Sequence, residues 1–120
     1  ATDPDPYRDA VRDAVAAGDQ AKVVELSRLA KPVTLPPGFV SLLARNRAIP
    51  VERRREMLRA AVERRPGELS LLMALGTTYP ANQTEWADDR VRWFQAAVGV
   101  APTNVAALTN LGDALVDKGD

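Results

Sequence analysis

Side chains able to do chemistry are few in this chain, and they are nearly all carboxylates and arginines. Its 120 residues include no cysteine and no histidine. That removes disulfides, thiolate metal sites, the usual zinc sites, Ser-His-Asp and Cys-His nucleophilic centres, and the commonest general base near neutral pH. The carboxylate pairs, Asp88-Asp89 and Asp113 with Asp117, fall on the polar faces of amphipathic stretches, where solvation or helix-end electrostatics accounts for them without catalysis. The run Arg53-Arg54-Arg55 resembles a nucleic-acid patch. Successive helical residues point about 100° apart, however, so the three fan around their helix instead of forming a stripe. With Glu52, Glu56, Arg59 and Glu63 spaced to pair, the run reads as a solvated face. The seven glycines are scattered and none sits in a phosphate-cradling loop. The expectation is a segment that is not an enzyme, with no catalytic residue, no cofactor and no metal.

Charge points the same way. Formal net charge is zero, so the molecule as a whole has no pull on nucleic acid or anionic lipid, and neither is expected as a partner. Locally the balance is uneven. Residues 45–65 hold eight arginines against Glu52, Glu56 and Glu63, whereas residues 66–120 hold seven acids against Arg90, Arg92 and Lys118. Apolar residues make up 46% and aromatics only 5%, which favours helices packed through Ala, Leu and Val. The longest apolar run, Ala96 to Ala101, is far too short to span a bilayer, and no signal peptide is visible. A cytoplasmic location is expected. The start at Ala1 reads as that of a segment cut from a longer protein.

Periodicity and punctuation place seven helices. Residues 1–5 read as a linker, with Asp5 as N-cap and Pro6 in the first turn. The first helix, to about Ala17, buries Tyr7, Ala10, Val11, Ala14 and Val15, and Gly18 ends it. The second, Asp19 to about Ala30, buries Val23, Leu26, Leu29 and Ala30 and stops at Pro32. Val33 to Gly38 reads as an extended connection. The third, Gly38 to Asn46, turns Phe39, Leu42 and Leu43 inward. Pro50 opens the fourth, which buries Val51, Leu58, Ala61 and Val62. The fifth runs from Gly67 to Tyr79. Asn82 and Glu85 form a capping-box-like start to the sixth, with Ala87, Val91, Phe94 and Val98 on one face. Trp86 and Trp93 are spaced for packing between adjacent units. The seventh runs from about Asn104 to Lys118. Gly76 and Gly112 are expected at close helix contacts, since glycine inside a helix otherwise costs about 1 kcal/mol relative to alanine.

One pattern occurs twice. From Leu75-Gly76 to Leu111-Gly112 the period is 36 residues, within the range of helix-turn-helix solenoid repeats. The residues Leu72, Leu75, Gly76 and Tyr79, then Leu108, Leu111, Gly112 and Leu115, resemble the first helix of the tetratricopeptide repeat. Phe94, Ala97 and Pro102, and upstream Leu58, Ala61 and Pro66, resemble its second helix. Gly18-Asp19 and Gly119-Asp120 match the Gly-Asp that ends the first. Arg90 stands where the family has a small alanine, and Pro32 to Pro50 fits poorly. The resemblance implies an all-α, right-handed solenoid of three hairpins plus one unpaired helix: degenerate hairpins at 6–31 and 37–65, a repeat unit at 67–101, and the first helix of another at 103–120. Residues 50–120 also resemble the repeat region of multidomain bacterial serine/threonine kinases through "RAIPVERRREML", "ALGTTYP" and "RVRWFQAAV". No kinase motif lies in this segment.

By analogy with such folds, the expected function is protein–protein interaction, with a peptide or partner helix in a concave groove lined by the first helix of each unit. Helical phase puts Met73, Thr77, Thr109, Asn110, Asp113 and Asp117 on that lining. Asn110 matches an asparagine that some family members use to hold a C-terminal carboxylate. The basic residues of that clamp are missing, with Ala74, Thr77 and Asp113 nearby, so the expected ligand is a basic or neutral segment. The alternative is a structural spacer or oligomerisation segment. The face of the seventh helix bearing Leu108, Leu111, Leu115 and Val116 is the expected self-association surface, most simply of a homodimer.

Overall fold

The computed structural model describes residues 6–29 and 35–119. The expected linker, the Asp5 cap, the inward Ala30, the Pro32 stop and residues 33–34 of the expected extended connection lie outside them, and that connection ends early because Pro37 and Gly38 already belong to the third helix. Among the described residues the chain is all-α, with seven helices: α1 Pro6–Ala16, α2 Gln20–Arg28, α3 Pro37–Ala44, α4 Val51–Arg64, α5 Leu69–Thr77, α6 Thr84–Val100 and α7 Val105–Lys118.

Helix ends follow local chemistry. Gly18 takes a left-handed φ of 70° after α1, which a residue without a Cβ adopts freely. Asp19 then caps α2 by accepting from the Lys22 amide at 3.1 Å. Asn104 caps α7 in the same way through the Ala107 amide. These two helices begin where their caps predict. The capping box expected at Asn82 and Glu85 does not form. Asn82 has φ 61°, Gln83 occupies the cap without a side-chain bond, and the Asn82 amide instead donates to Asp117 Oδ2 at 2.9 Å.

The helices pair as α1 on α2, α3 on α4 and α5 on α6; α5 also lies against α3 and α4, and α7 runs along α6. The result measures 46 × 25 × 21 Å. Its centre is α5, whose Leu71, Leu72 and Leu75 are buried with Met57 and Leu58 of α4 and with Ile49. Each such side chain contributes about 1.5–3 kcal/mol by leaving water. Phe94 of α6 is fully buried. A Cβ on Gly76 would sit 2.6 Å from Phe94 Cε1, so Gly76 marks the expected close approach. Gly112 does not: nothing lies within 4 Å of a Cβ there, because α7 meets α6 through its buried Ala107 and Ala114 while Gly112 faces outward.

Of the two tryptophans, Trp86 reaches a neighbouring hairpin. Trp86 stands 5.9 Å from Tyr79, beneath the guanidinium of Arg55 from α4, and Trp93 is buried in the core. The arginine run differs from expectation. It fans out as helical geometry requires, but it is no solvated face. Arg55, 6% exposed, donates from Nη2 to the Thr78 carbonyl at 2.7 Å and lies 4.1 Å over the Tyr79 ring. Arg53 reaches the Ser27 carbonyl with Nε at 3.0 Å and Nη2 at 2.7 Å, and Arg54 Nε holds the Ile49 carbonyl at 2.9 Å. Carbonyls near helix ends lack intrahelical donors. A planar guanidinium satisfies them while its stem covers apolar surface.

Candidate functional site

Two adjoining depressions flank the C-terminal end of α3. The first, about 380 Å³, lies between α1 and α3 and is walled by Val11, Val15, Ala16, Phe39, Leu42 and Leu43, with Arg12, Arg45 and Asn46 at its rim. It exists because α1 packs on α2 and not extensively on α3. Leu42, expected inward, is therefore 60% exposed: α4 and α5 cover α3 elsewhere, and Leu42 is left on the side facing α1.

The second, about 480 Å³, lies between the end of α3, the start of α4 and α5. Ala44, Arg45, Arg47, Arg54, Met73, Ala74, Thr77 and Thr78 line it. Local structure builds it. Asn46 Oδ1 accepts from the Ala48 amide at 2.9 Å, a side-chain-closed turn that presents Arg47, and the fully buried Ile49 anchors that turn. Arg54 returns from the first turn of α4 to bond the Ile49 carbonyl. On the far wall, Arg55 grips the carbonyl of Thr78 at the end of α5.

The second depression is cationic. Arg12, Arg53, Arg55 and Arg90 each have a carboxylate partner, in Asp9, Glu56, Glu52 and Asp117. Among the described residues, Arg45, Arg47 and Arg54 have none. Burial first, then the neighbouring Arg47 and Arg55, hold the Arg54 guanidinium below its usual range.

Of the residues placed on the groove from sequence, Met73 and Thr77 line this cleft. Thr109, Asn110 and Asp113 stand apart on α7, which packs on α6. Asp117 is not a lining residue at all. Its carboxylate accepts from Arg90 Nη1 at 3.0 Å and from the Asn82 amide, which explains how an arginine is accommodated in a buried position at residue 90. On the expected self-association face, Leu111 and Leu115 are half-buried, while Leu108 and Val116 are exposed at 45% and 72%. The cleft beside α5 is basic, through Arg45 and Arg47 of the turn after α3 and Arg54 of α4, and the acids of α7 lie away from it. Arg45, Arg47 and Arg54 were within reach of the sequence, since they belong to the eight arginines of residues 45–65. What separates them from Arg53 and Arg55 is the absence of a carboxylate partner among the described residues.

Among the described residues, no three acidic side chains converge as a metal ion would require, Asp88 pairs with Lys118 at 3.5 Å, and no helix is long and apolar enough to cross a membrane. Compared with protein-family models and with curated proteins, the chain matches none.

Proposed function

We propose that this chain is a protein-interaction module, a tetratricopeptide-like stack of helical hairpins in a right-handed solenoid that takes a polypeptide segment across the face formed by α1, α3 and α5. The observation that carries the reading is Arg45, which borders both depressions and so joins an apolar groove and a cationic cleft into one surface. Two open hollows in a row suit successive side chains of an extended segment better than one small molecule, which a pocket typically encloses. The contacts of α5 with α3, α4 and α6 support the stacked-hairpin arrangement. The reading assigns the chain no reaction and no cofactor. In a larger parent, such as the bacterial kinase that residues 50–120 resemble, the role would be that of a non-catalytic part.

The test is to select peptides from a displayed random pool on the folded chain and map them by amide chemical shifts. Shifts at residues 11–16, 39–47, 54 and 73–78 are expected. Selected peptides that shift only other residues, or a pool that yields no binder, would remove the proposal.

The spacer or oligomerisation reading draws support from α7, where Val105, Leu108 and Val116 are exposed at 76%, 45% and 72%. Light scattering separates the two. A mass that doubles with concentration and returns to that of a monomer in Val116→Asp supports self-association, and a monomer at high micromolar concentration removes it.

A further inference from the structure

The cluster of Arg45, Arg47 and Arg54 is electrostatically incomplete. Arg45 has a local explanation, because it caps the C-terminal end of α3, where the helix dipole favours a cation. Arg47 and Arg54 have no such excuse. Arg54 stands in the first turn of α4, the end at which the dipole disfavours positive charge. It is partly desolvated beside Arg47 and Arg55, and its Nε is committed to the Ile49 carbonyl. Its Nη groups have no protein hydrogen-bond partner among the described residues. The rest of the cleft offers nothing to neutralise them: Met73, Ala74, Thr77 and Thr78 are uncharged, and Thr77 Oγ1 already donates to the Met73 carbonyl. Like charges held together at the wrong end of a helix carry a repulsion that a bound anion relieves.

The apolar groove gives the anion a context. It lies on the other side of α3, one helix diameter away. Packed helices are about 8–10 Å apart, and an extended chain advances about 3.3 Å per residue. A side chain in the groove and one in the cleft are then about three residues apart.

We propose that the segment this surface takes is an extended protein strand carrying a large apolar side chain in the groove between α1 and α3 and, about three residues away, two or more aspartate or glutamate side chains in the Arg45–Arg47–Arg54 cleft. This rests on the partner-module reading and specifies its ligand. The acidic side chains accept charge-assisted hydrogen bonds from Arg47 and Arg54, and the apolar side chain covers Leu42, Val15 and Phe39.

The experiment uses fluorescently labelled peptides, N-acetylated and C-amidated so that no terminal carboxylate is present, with one leucine, two serines and three glutamates in that order and in the reverse order. Anisotropy titration should show binding for one order, weakened about tenfold when the glutamates become glutamines and weakened further as salt rises from about 50 to 200 mM. The double variant Arg47→Gln, Arg54→Gln should bind the glutamate peptide about tenfold more weakly and the glutamine peptide unchanged; Leu42→Ser should remove the preference for leucine over alanine. Circular dichroism checks folding. Should the double variant unfold, Arg47→Gln alone, at the exposed turn, should still weaken the glutamate peptide about threefold. Equal affinity for glutamate and glutamine peptides, or binding only when the C-terminus is left free, overturns the acidic-side-chain assignment. If neither order binds while display-selected neutral peptides shift the same amides, the assignment fails and the partner-module reading stands. If no peptide binds at all, both fail.

Discussion

Replacing Gly76 with alanine and, separately, Gly112 with alanine sets two physical effects against each other at two sites of the same type. Alanine gains up to about 1 kcal/mol over glycine within a helix. At Gly112 that gain stands alone, since a Cβ there meets nothing within 4 Å, and Gly112→Ala should stabilise the chain by about 0.5–1 kcal/mol. At Gly76 the new methyl would lie 2.6 Å from Phe94 Cε1 and 2.7 Å from Cζ, about 1 Å inside the ordinary carbon contact of about 3.5–4.0 Å. Phe94 is fully buried and cannot swing aside into solvent, so relief requires α5 and α6 to part. Overpacking of this kind costs about 1–3 kcal/mol. The net effect of Gly76→Ala should be a loss of about 1 kcal/mol, near 4 °C in melting temperature for a domain of this size. Urea and thermal unfolding followed by far-ultraviolet circular dichroism measure both variants against the parent. A double variant with Phe94→Leu adds a check, because the shorter side chain makes room and the two losses should fall short of additive by more than about 0.5 kcal/mol. A Gly76→Ala variant that melts at or above Gly112→Ala would refute the argument, since the helix contact would then not be tight.

Other outcomes follow from the arginines and the edges of the fold. Arg55→Ala should cost about 2–4 kcal/mol in urea unfolding, since it leaves the Thr78 carbonyl and the Tyr79 ring uncovered, and Arg55→Lys should recover less than half of that because lysine cannot make the planar fork. Asp117→Asn should cost about 2–4 kcal/mol by stranding the Arg90 guanidinium, and Arg90→Met with Asp117→Leu together should be milder than Asp117→Asn alone; a harsher double variant in the same assay counts against the pair as drawn. Val116→Asp, on an exposed position, should change stability by less than about 0.5 kcal/mol. Amides of α5 and α6 should exchange with solvent more slowly than those of α1, because α5 is packed by three helices and α1 chiefly by one; the reverse order would contradict that packing.

Helix number and most helix ends were readable in advance because their signals are local. Gly18, Asp19, Pro50 and Asn104 act on their own backbone or within a turn of it. The roles of the arginines were not readable, because their partners lie far along the chain: Arg53 bonds a carbonyl 26 residues away and Arg55 one 23 residues away, and apolar periodicity says nothing about which helix end a guanidinium will meet. The same limit misplaced Asp117. Helical phase puts it on a face of α7 but does not say that Arg90, 27 residues earlier, covers that face. Leu42 went wrong in the opposite sense. Its spacing is that of a core residue, and only the distance α1 keeps from α3 leaves it in the open. Met73 and Thr77 lie one helical turn apart on the face of α5 that borders the cleft, a spacing that helical phase alone supplies.

The gap between α1 and α3 also divides the surface mechanically. The cationic cleft is framed by α3, α4 and α5, which pack on one another, so its shape is stiff. The apolar groove runs along a seam where the first hairpin meets the rest chiefly through shared core side chains, through Arg53 on the Ser27 carbonyl and through Arg12 lying 5.6 Å over the Phe39 ring. No extensive helix packing between α1 and α3 opposes widening of the seam, whereas the three helices around the cleft pack on one another. A stiff hollow discriminates and a compliant one adapts. The charged end of a ligand should therefore tolerate little change in length or position, so that aspartate and glutamate differ measurably, while the apolar end should accept leucine, methionine or phenylalanine with similar affinity.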